Sequence, residues 1–354
     1  MALTEKELEN FNRIYRVPRE MQKYTERLFT PEEIRFALTA PSEIRAADVT
    51  EGEKTAGNGQ TADNGQIADN GLTAWEKAAG SADFDANFLL DEYRRGFLNL
   101  KDEKRDVYVV SDYAGFMDVY VVREYDDWRE RFTAEERHEI DLAYFHASFD
   151  PKAKEKETAP SKDEVWPLDE VLDFIDRHDG QIYLNNCDCR SFAGDCGKPR
   201  HTCITWRGGI NTYADRGMSE KLTKDEAREK VKEFDRAGLM HTLQADGDVI
   251  CNCCEDCCYL SRGRKILNSG GSWPRAHYIV SLDRDPCIGC GLCTRRCWRG
   301  VFTIEDKKAV ADTSRCIGCG LCVNSCPKKA LSLVPHQFPV WKVKIPAQTE
   351  PATH

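Results

Sequence analysis

Apolar residues recur at helical spacing in several separated windows of the chain, and most windows carry their own start signal. Thr30-Pro31-Glu32-Glu33 sets a capping hydroxyl, a proline at the first helical position and two acids ahead of Ile34, Ala37 and Leu38, which predicts a helix. Leu90, Tyr93 and Phe97 predict a second helix with one apolar face. Residues 107–110 and 119–122 are β-branched or aromatic runs flanking Ser111-Asp112-Tyr113-Ala114-Gly115, and they predict a hairpin. Thr133-Ala134-Glu135-Glu136 reads as a capping box that opens a helix with Ile140, Ala143, Tyr144 and Ala147 in one stripe. Further on, a short helix around 171–175 stops near Gly180. Thr223-Lys224-Asp225-Glu226 opens another, with Ala227, Val231 and Phe234 inward and its end at Gly238.

This pattern predicts an α+β fold. Residues 1–150 contain no cysteine, and their order of helix, helix, hairpin is that of a winged-helix-like domain. Inside it, residues 55–60 repeat as 61–66 and 67–72. Three copies rich in Gly, Asn and Asp offer no face to bury, so about 51–82 is expected to be a flexible surface insertion. Residues 151–165 form a charged linker, 166–275 a cysteine-rich middle region, 276–335 a duplicated cysteine module and 336–354 a tail.

Composition narrows the class. A chain of 354 residues suffices for two or three domains with their own cores. With 41% hydrophobic and 31% charged residues, and no apolar run near the ~20 residues that cross a bilayer, no membrane association is expected. The charged start Met1-Ala2-Leu3-Thr4-Glu5-Lys6-Glu7 lacks a signal core, so the expected location is cytoplasmic. A net charge of −10 argues against nucleic acid as a partner. The 17 cysteines are odd in number and cluster tightly from Cys187 onward, which in a reducing compartment points to metal rather than disulfides.

The strongest signal is a duplication. Cys287-Ile288-Gly289-Cys290-Gly291-Leu292-Cys293 reappears as Cys316-Ile317-Gly318-Cys319-Gly320-Leu321-Cys322, and each copy adds a fourth cysteine, Cys297 and Cys326. A C-x2-C-x2-C loop wraps one cubane with three thiolates, small glycines let backbone amides approach its sulfurs, and the fourth thiolate comes from the other copy. One [4Fe-4S] cluster is therefore expected on Cys287, Cys290, Cys293 and Cys326, and a second on Cys316, Cys319, Cys322 and Cys297. Zinc is the alternative, but paired C-x2-C knuckles do not produce such runs. These eight cysteines resemble the bacterial two-cluster ferredoxins, which implies a C-terminal ferredoxin-like two-cluster domain over about 285–329. One departure stands out: Cys297-Trp298 replaces the Cys-Pro that closes the second copy as Cys326-Pro327.

Nine cysteines remain: Cys187, Cys189, Cys196 and Cys203, then Cys251, Cys253, Cys254, Cys257 and Cys258. Thiolates this dense repel unless a metal neutralises them. One further iron–sulfur cluster per group, one shared cluster with spare thiols, zinc or another structural metal, and redox-active thiols all stay open. Cys187-Asp188-Cys189-Arg190, Cys203, Ala237-Gly238-Leu239-Met240-His241 and Ile250-Cys251-Asn252-Cys253-Cys254 resemble a largely uncharacterised family of cysteine-rich 4Fe-4S binding proteins ending in a ferredoxin module. The resemblance implies a shared architecture and no reaction. His201 and His241 are expected to serve local hydrogen bonds, and Arg190, Lys198 and Arg200 to offset thiolate charge or hold an anion. Arg295, Arg296, Arg299, Lys328 and Lys329 surround the module as a solvated basic face or a docking face for an acidic redox partner.

The function expected is electron transfer to or from a redox partner protein. Alternatives are a reductase acting on a small-molecule substrate at a middle cluster or thiol site, and a redox-sensing regulator. No Gly-x-Gly-x-x-Gly after a strand, Walker loop or nucleophile elbow is visible, which leaves catalytic residues unassigned and favours relay over self-contained catalysis.

Overall fold

The computed structural model describes residues 2–46, 84–155, 161–194 and 196–338. The chain divides into two compact units, one of Met1–Ala143 with Gly208–Met218, the other of Tyr144–Arg207 with Ser219–His354. The repeats at 55–72 and the whole insertion expected at 51–82 lie outside the described residues, as does the tail from 339 on.

The first unit runs α1 (Glu5–Ile14), α2 (Thr25–Leu28), α3 (Pro31–Thr39), β1 (Ile44–Arg45), α4 (Ala86–Arg95), β2 (Leu98–Leu100), β3 (Val107–Val110), α5 (Tyr113–Arg123), α6 (Tyr125–Arg131) and the start of α7 (Ala134–Glu155). Thr30 and Glu33 close the capping box of α3, and Thr133 and Glu136 exchange hydrogen bonds at the start of α7. The three strands pair antiparallel in the order β1-β3-β2. Around them pack Phe11, Tyr15, Phe29, Phe97 and Phe116, with the Phe29 and Phe116 rings 4.6 Å apart.

Four expectations need correction here. The hairpin pairs β2 with β3, whereas 119–122 lies in α5. All four of those side chains are buried, so the run has no period to separate strand from helix, and the Asp112 cap, accepting from the Gly115 amide, favours the helix. On α4 the inner face carries Leu89 and Tyr93 while Leu90 is exposed; Phe97 is buried beyond the helix, which ends at Gly96 in the left-handed region (φ 92°). On α7, Ile140 and Tyr144 are buried but Ala147 is exposed, because the larger Phe145 and Phe149 rings take the inner side. The linker expected at 151–165 is partly ordered structure: α7 continues through Pro151 to Glu155, and β4 (Glu164–Trp166) already begins at its end.

One buried acid in this unit makes a pH prediction. Burial, with Glu124 and Asp91 nearby, pushes Glu92 up to about 8. Arg95 lies 4.0 Å away but is already committed to Glu33 and Glu124. The folded state thus holds a proton that the unfolded chain releases near its ordinary value of 4.5, so stability falls as pH rises from 4.5 to 8 and then levels off. Glu92→Gln should leave stability unchanged at pH 4 and raise it by roughly 2 kcal/mol at pH 9, read by denaturant titration.

In the second unit, β4 is followed by α8 (Leu168–Arg177), β5 (Ile182–Asn186), α9 (Asp188–Ala193), β6 (His201–Thr205), β7 (Glu220–Leu222), α10 (Lys224–Arg236), β8 (Met240–Leu243), β9 (Val249–Cys253), α11 (Tyr259–Leu267) and β10 (Arg275–Ala276). Seven strands form one sheet in the order β10-β4-β8-β9-β6-β5-β7, antiparallel except for the β10–β4 edge pair. The inner faces of α8 and α10 cover it, and Val171, Ile175, Ala227, Val231 and Phe234 all fall in that core as their spacing predicts. The chain then forms β11 (Tyr278–Leu282), α12 (Leu292–Arg296), β12 (Phe302–Glu305), β13 (Lys308–Ala311), α13 (Leu321–Asn324) and β14 (Leu331–Pro335). The β11–β14 and β12–β13 ladders bind the two halves of the duplication together.

Candidate metal centres

In the duplicated module the cysteines surround two hollows, each with about 380 Å³ free of protein atoms. Cys287, Cys290, Cys293 and Cys326 line the first; Cys297, Cys316, Cys319 and Cys322 line the second. Each hollow thus takes three sulfurs from one copy and one from the other. Backbone amides are aimed at the sulfurs: Ala309 N donates to Cys287 Sγ and Ala330 N to Cys326 Sγ, both at 3.3 Å, while Val280 N donates to Cys316 Sγ at 3.3 Å. The amides of Ala309 and Gly289 hold the Cys287 thiol below its ordinary value, whereas burial pushes Cys319 up to about 12. Gly289 and Gly318 are obligatory. Both have φ near 65°, and a Cβ would run into the Lys307 carbonyl at the first and the Tyr278 carbonyl at the second.

The middle cysteines do not sort by sequence group. A larger cavity, with about 1330 Å³ free of protein atoms, is lined by Cys187 and Cys189 at the start of α9, Cys203 on β6, Cys251 and Cys253 on β9, and Cys258 at the cap of α11. Cys251 and Cys253 reach the same side because they are two apart on one strand. Gln244 Nε2 donates to Cys251 Sγ at 3.2 Å, and the thiols of Cys203 and Cys253 also donate to it, holding Cys251 well below the usual thiol range. Cys189, Cys203 and Cys253 are pushed up, chiefly because they are donors to neighbouring sulfurs. Thiols crowded in this way share few negative charges without a cation and give up their protons to a bound metal. Asp188, Gln244, Tyr259 and Trp273 complete the wall.

The other three, Cys196, Cys254 and Cys257, lie within 4.8 Å of one another, packed against the sheet core. Arg190 is buried, donating to the Thr202 hydroxyl at 2.9 Å and the Pro199 and Asn252 carbonyls at 2.6 and 3.0 Å. Asn252 also receives His241: Nδ1 is 2.7 Å from Asn252 Oδ1, and Nε2 is 3.8 Å from Asp235. His201 instead makes its contact with the Leu184 carbonyl at 3.1 Å. Neither histidine lines a cavity named above. Lys198 donates to the Ala237 carbonyl and Arg296 to the Arg236 carbonyl, which caps the C-terminal end of α10. Arg200 lies 3.5 Å from the Ser191 hydroxyl. Arg295, Lys328 and Lys329 are exposed.

A residue that the sequence did not single out lies near thiols of both the middle cavity and the second hollow. Arg264, on the inner face of α11, is 1% exposed and has Cys253, Cys258 and Cys319 as its charged neighbours. Burial, with Arg299 close by, brings it down to about 9, so it stays protonated at neutral pH. Its Nε donates to the Trp273 carbonyl at 3.2 Å, and its Nη1, although buried, has no hydrogen-bond partner among the described residues. A buried cation with a free donor among thiols suits sites that carry anionic clusters. The helix positioning it is tightly seated, since a Cβ on Gly263 would overlap the Phe149 ring. Gly263→Ala should cost about 1–3 kcal/mol, seen as a lower denaturation midpoint.

Residues 279–327 match the family model of the 4Fe-4S dicluster domain. No curated protein and no solved structure matches the chain. Among the described residues, no helix is long and apolar enough to cross a membrane. The dicluster match, on cysteines already gathered into two hollows, makes this an iron–sulfur protein.

Proposed function

We propose that this chain is an electron-transfer protein, passing single electrons between a redox partner protein and the cysteine-rich middle region. The reading rests on one packing observation. Cys253 and Cys258 of the middle cavity share a buried apolar cluster with Ile317 and Leu321, and Trp298 and Cys319 of the duplicated module pack against that cluster. Bound [4Fe-4S] clusters supply reversible one-electron storage. Cys287, Cys290, Cys293 and Cys326 hold one; Cys297, Cys316, Cys319 and Cys322 hold the other; the six cavity cysteines hold further iron and sulfide. The protein's own task is to fix these thiolates, exclude water between them and set the local charge. Trp298, standing where the family has proline, lines the second hollow and packs its flat ring against that buried apolar cluster. At the outer end Cys290 is exposed and Ile288 is 57% exposed, flanked by Lys328, which suits docking of an acidic partner.

The first unit's order of helix, strand, helix and hairpin, with its β1-β3-β2 sheet, supports the winged-helix-like reading; in a chain of charge −10 this is a docking module rather than a DNA reader. A second reading, a reductase fed by the module, is favoured by the middle cavity, which is far larger than either hollow. Anaerobic redox titration followed by paramagnetic resonance separates the two. Relay requires every centre to titrate reversibly and to ignore added small molecules; a middle signal that shifts with a substrate supports the reductase, and colourless, sulfide-free protein ends both.

A further inference from the structure

We infer that Cys196, Cys254 and Cys257 hold a single thiophilic divalent ion, zinc or iron(II), in a structural site separate from every cluster. The inference stands on sulfur spacing and charge and is independent of the electron-transfer reading.

Around one tetrahedral ion with metal–sulfur bonds near 2.3 Å, sulfurs are about 3.8 Å apart. In a cubane each thiolate binds a different iron at a corner of the cube, so the sulfurs spread farther. The protein contains its own comparison. Its eight module cysteines, all described, include no three whose sulfurs come within 4.8 Å of one another, whereas Cys196, Cys254 and Cys257 do. The other tight trio, Cys187, Asp188 and Cys189, is consecutive in sequence, so its closeness is in part imposed by the chain. Cys196 is brought to Cys254 and Cys257 only by the fold. Cys254-Glu255-Asp256-Cys257 is also the C-x2-C turn of a zinc knuckle, and Cys257 N donates to Cys254 Sγ at 3.2 Å, which closes the turn around the metal position.

Charge agrees. Three thiolates and one divalent ion sum to −1, and Arg190, 2% exposed, supplies the compensating charge, with Cys254 and Cys196 among its charged neighbours. Its Nε has no hydrogen-bond partner among the described residues. Cys254 and Cys257 are each 2% exposed, belong to the core of the large sheet and line none of the three cavities described above; one ion needs no cavity of its own. The ion would staple the loop carrying Cys196 and the turn after β9 onto that core.

The test uses full-length protein purified without oxygen, with zinc, iron and acid-labile sulfide counted per chain. Cys257→Ser and Cys196→Ser should each lose one metal ion while sulfide stays at the wild-type level. Loss of about four irons together with about four sulfides would show a cubane there and overturn the inference, as would an unchanged metal count. Should the variants not fold, X-ray absorption of the wild type decides: the zinc edge, or the iron edge if zinc is absent, must show a sulfur shell at about 2.3 Å belonging to an ion without a neighbouring iron. Protein with neither zinc nor iron in excess of sulfide overturns the inference while leaving the clusters in place.

Discussion

Cys326→Ala should empty the hollow formed by the first copy of the duplication, not the one formed by its own. Cys326 lines the same hollow as Cys287, Cys290 and Cys293, so its loss leaves those three sulfurs with a fourth corner open, and the protein should lose about four irons and four sulfides per chain. Cys297→Ala should remove the other set, that of Cys316, Cys319 and Cys322. The two variants are distinguished by the surviving paramagnetic signal. In Cys326→Ala the remaining centre is the buried one beside Asp235 and Trp298; in Cys297→Ala it is the outer one under exposed Cys290. The outer centre should react faster with small water-soluble oxidants. The same centre surviving in both variants would refute the crossed assignment.

Arg264→Leu should lower the reduction potentials of the centres on both sides of it. The guanidinium is a fixed positive charge among Cys253, Cys258 and Cys319, and each added electron is stabilised by it in a medium poorer in water than the surface. Removing it is expected to shift the second module centre and the middle centre by roughly −60 mV, the one-electron equivalent of about 1.4 kcal/mol, with the outer centre almost unmoved. Leucine also leaves the Pro274 carbonyl without the Arg264 donor and the Trp273 carbonyl with the Ser269 hydroxyl, so stability should fall by about 1–3 kcal/mol. Arg264→Lys keeps the charge and loses part of the bonding. It should restore the potentials more than the stability, a split that a purely structural role would not produce.

Local chemistry was legible where it is written in neighbouring residues. The capping boxes at Thr30, Thr133 and Thr223 each satisfy helix amides from within four residues, so they could be read without any knowledge of the fold. The loops C-x2-C-x2-C are equally local. Where every side chain of a run is buried, as at 119–122, the pattern has no polar face and loses its period; the strand expected there became a helix through a single capping aspartate. The stripe on α7 failed for a related reason: Ala147 and Phe149, two apart on the helix, face opposite sides, and the side with the larger rings turns inward.

The middle region shows the limit most clearly. From order along the chain, the nine cysteines form two groups, one ending at Cys203 and one beginning at Cys251. Folding recombines them. Antiparallel pairing of β6 with β9 brings Cys203 to Cys251, while the turn after β9 carries Cys254 and Cys257 away from the cavity toward Cys196. That the chain is an iron–sulfur protein follows from residue identity and spacing, because a seven-residue loop gathers three thiols through short-range geometry. Which middle thiols meet, and that a buried arginine lies near thiols of both the middle cavity and the second hollow, follows only from strand pairing and helix packing, because those contacts join residues whose separation along the chain carries no trace of their distance in space.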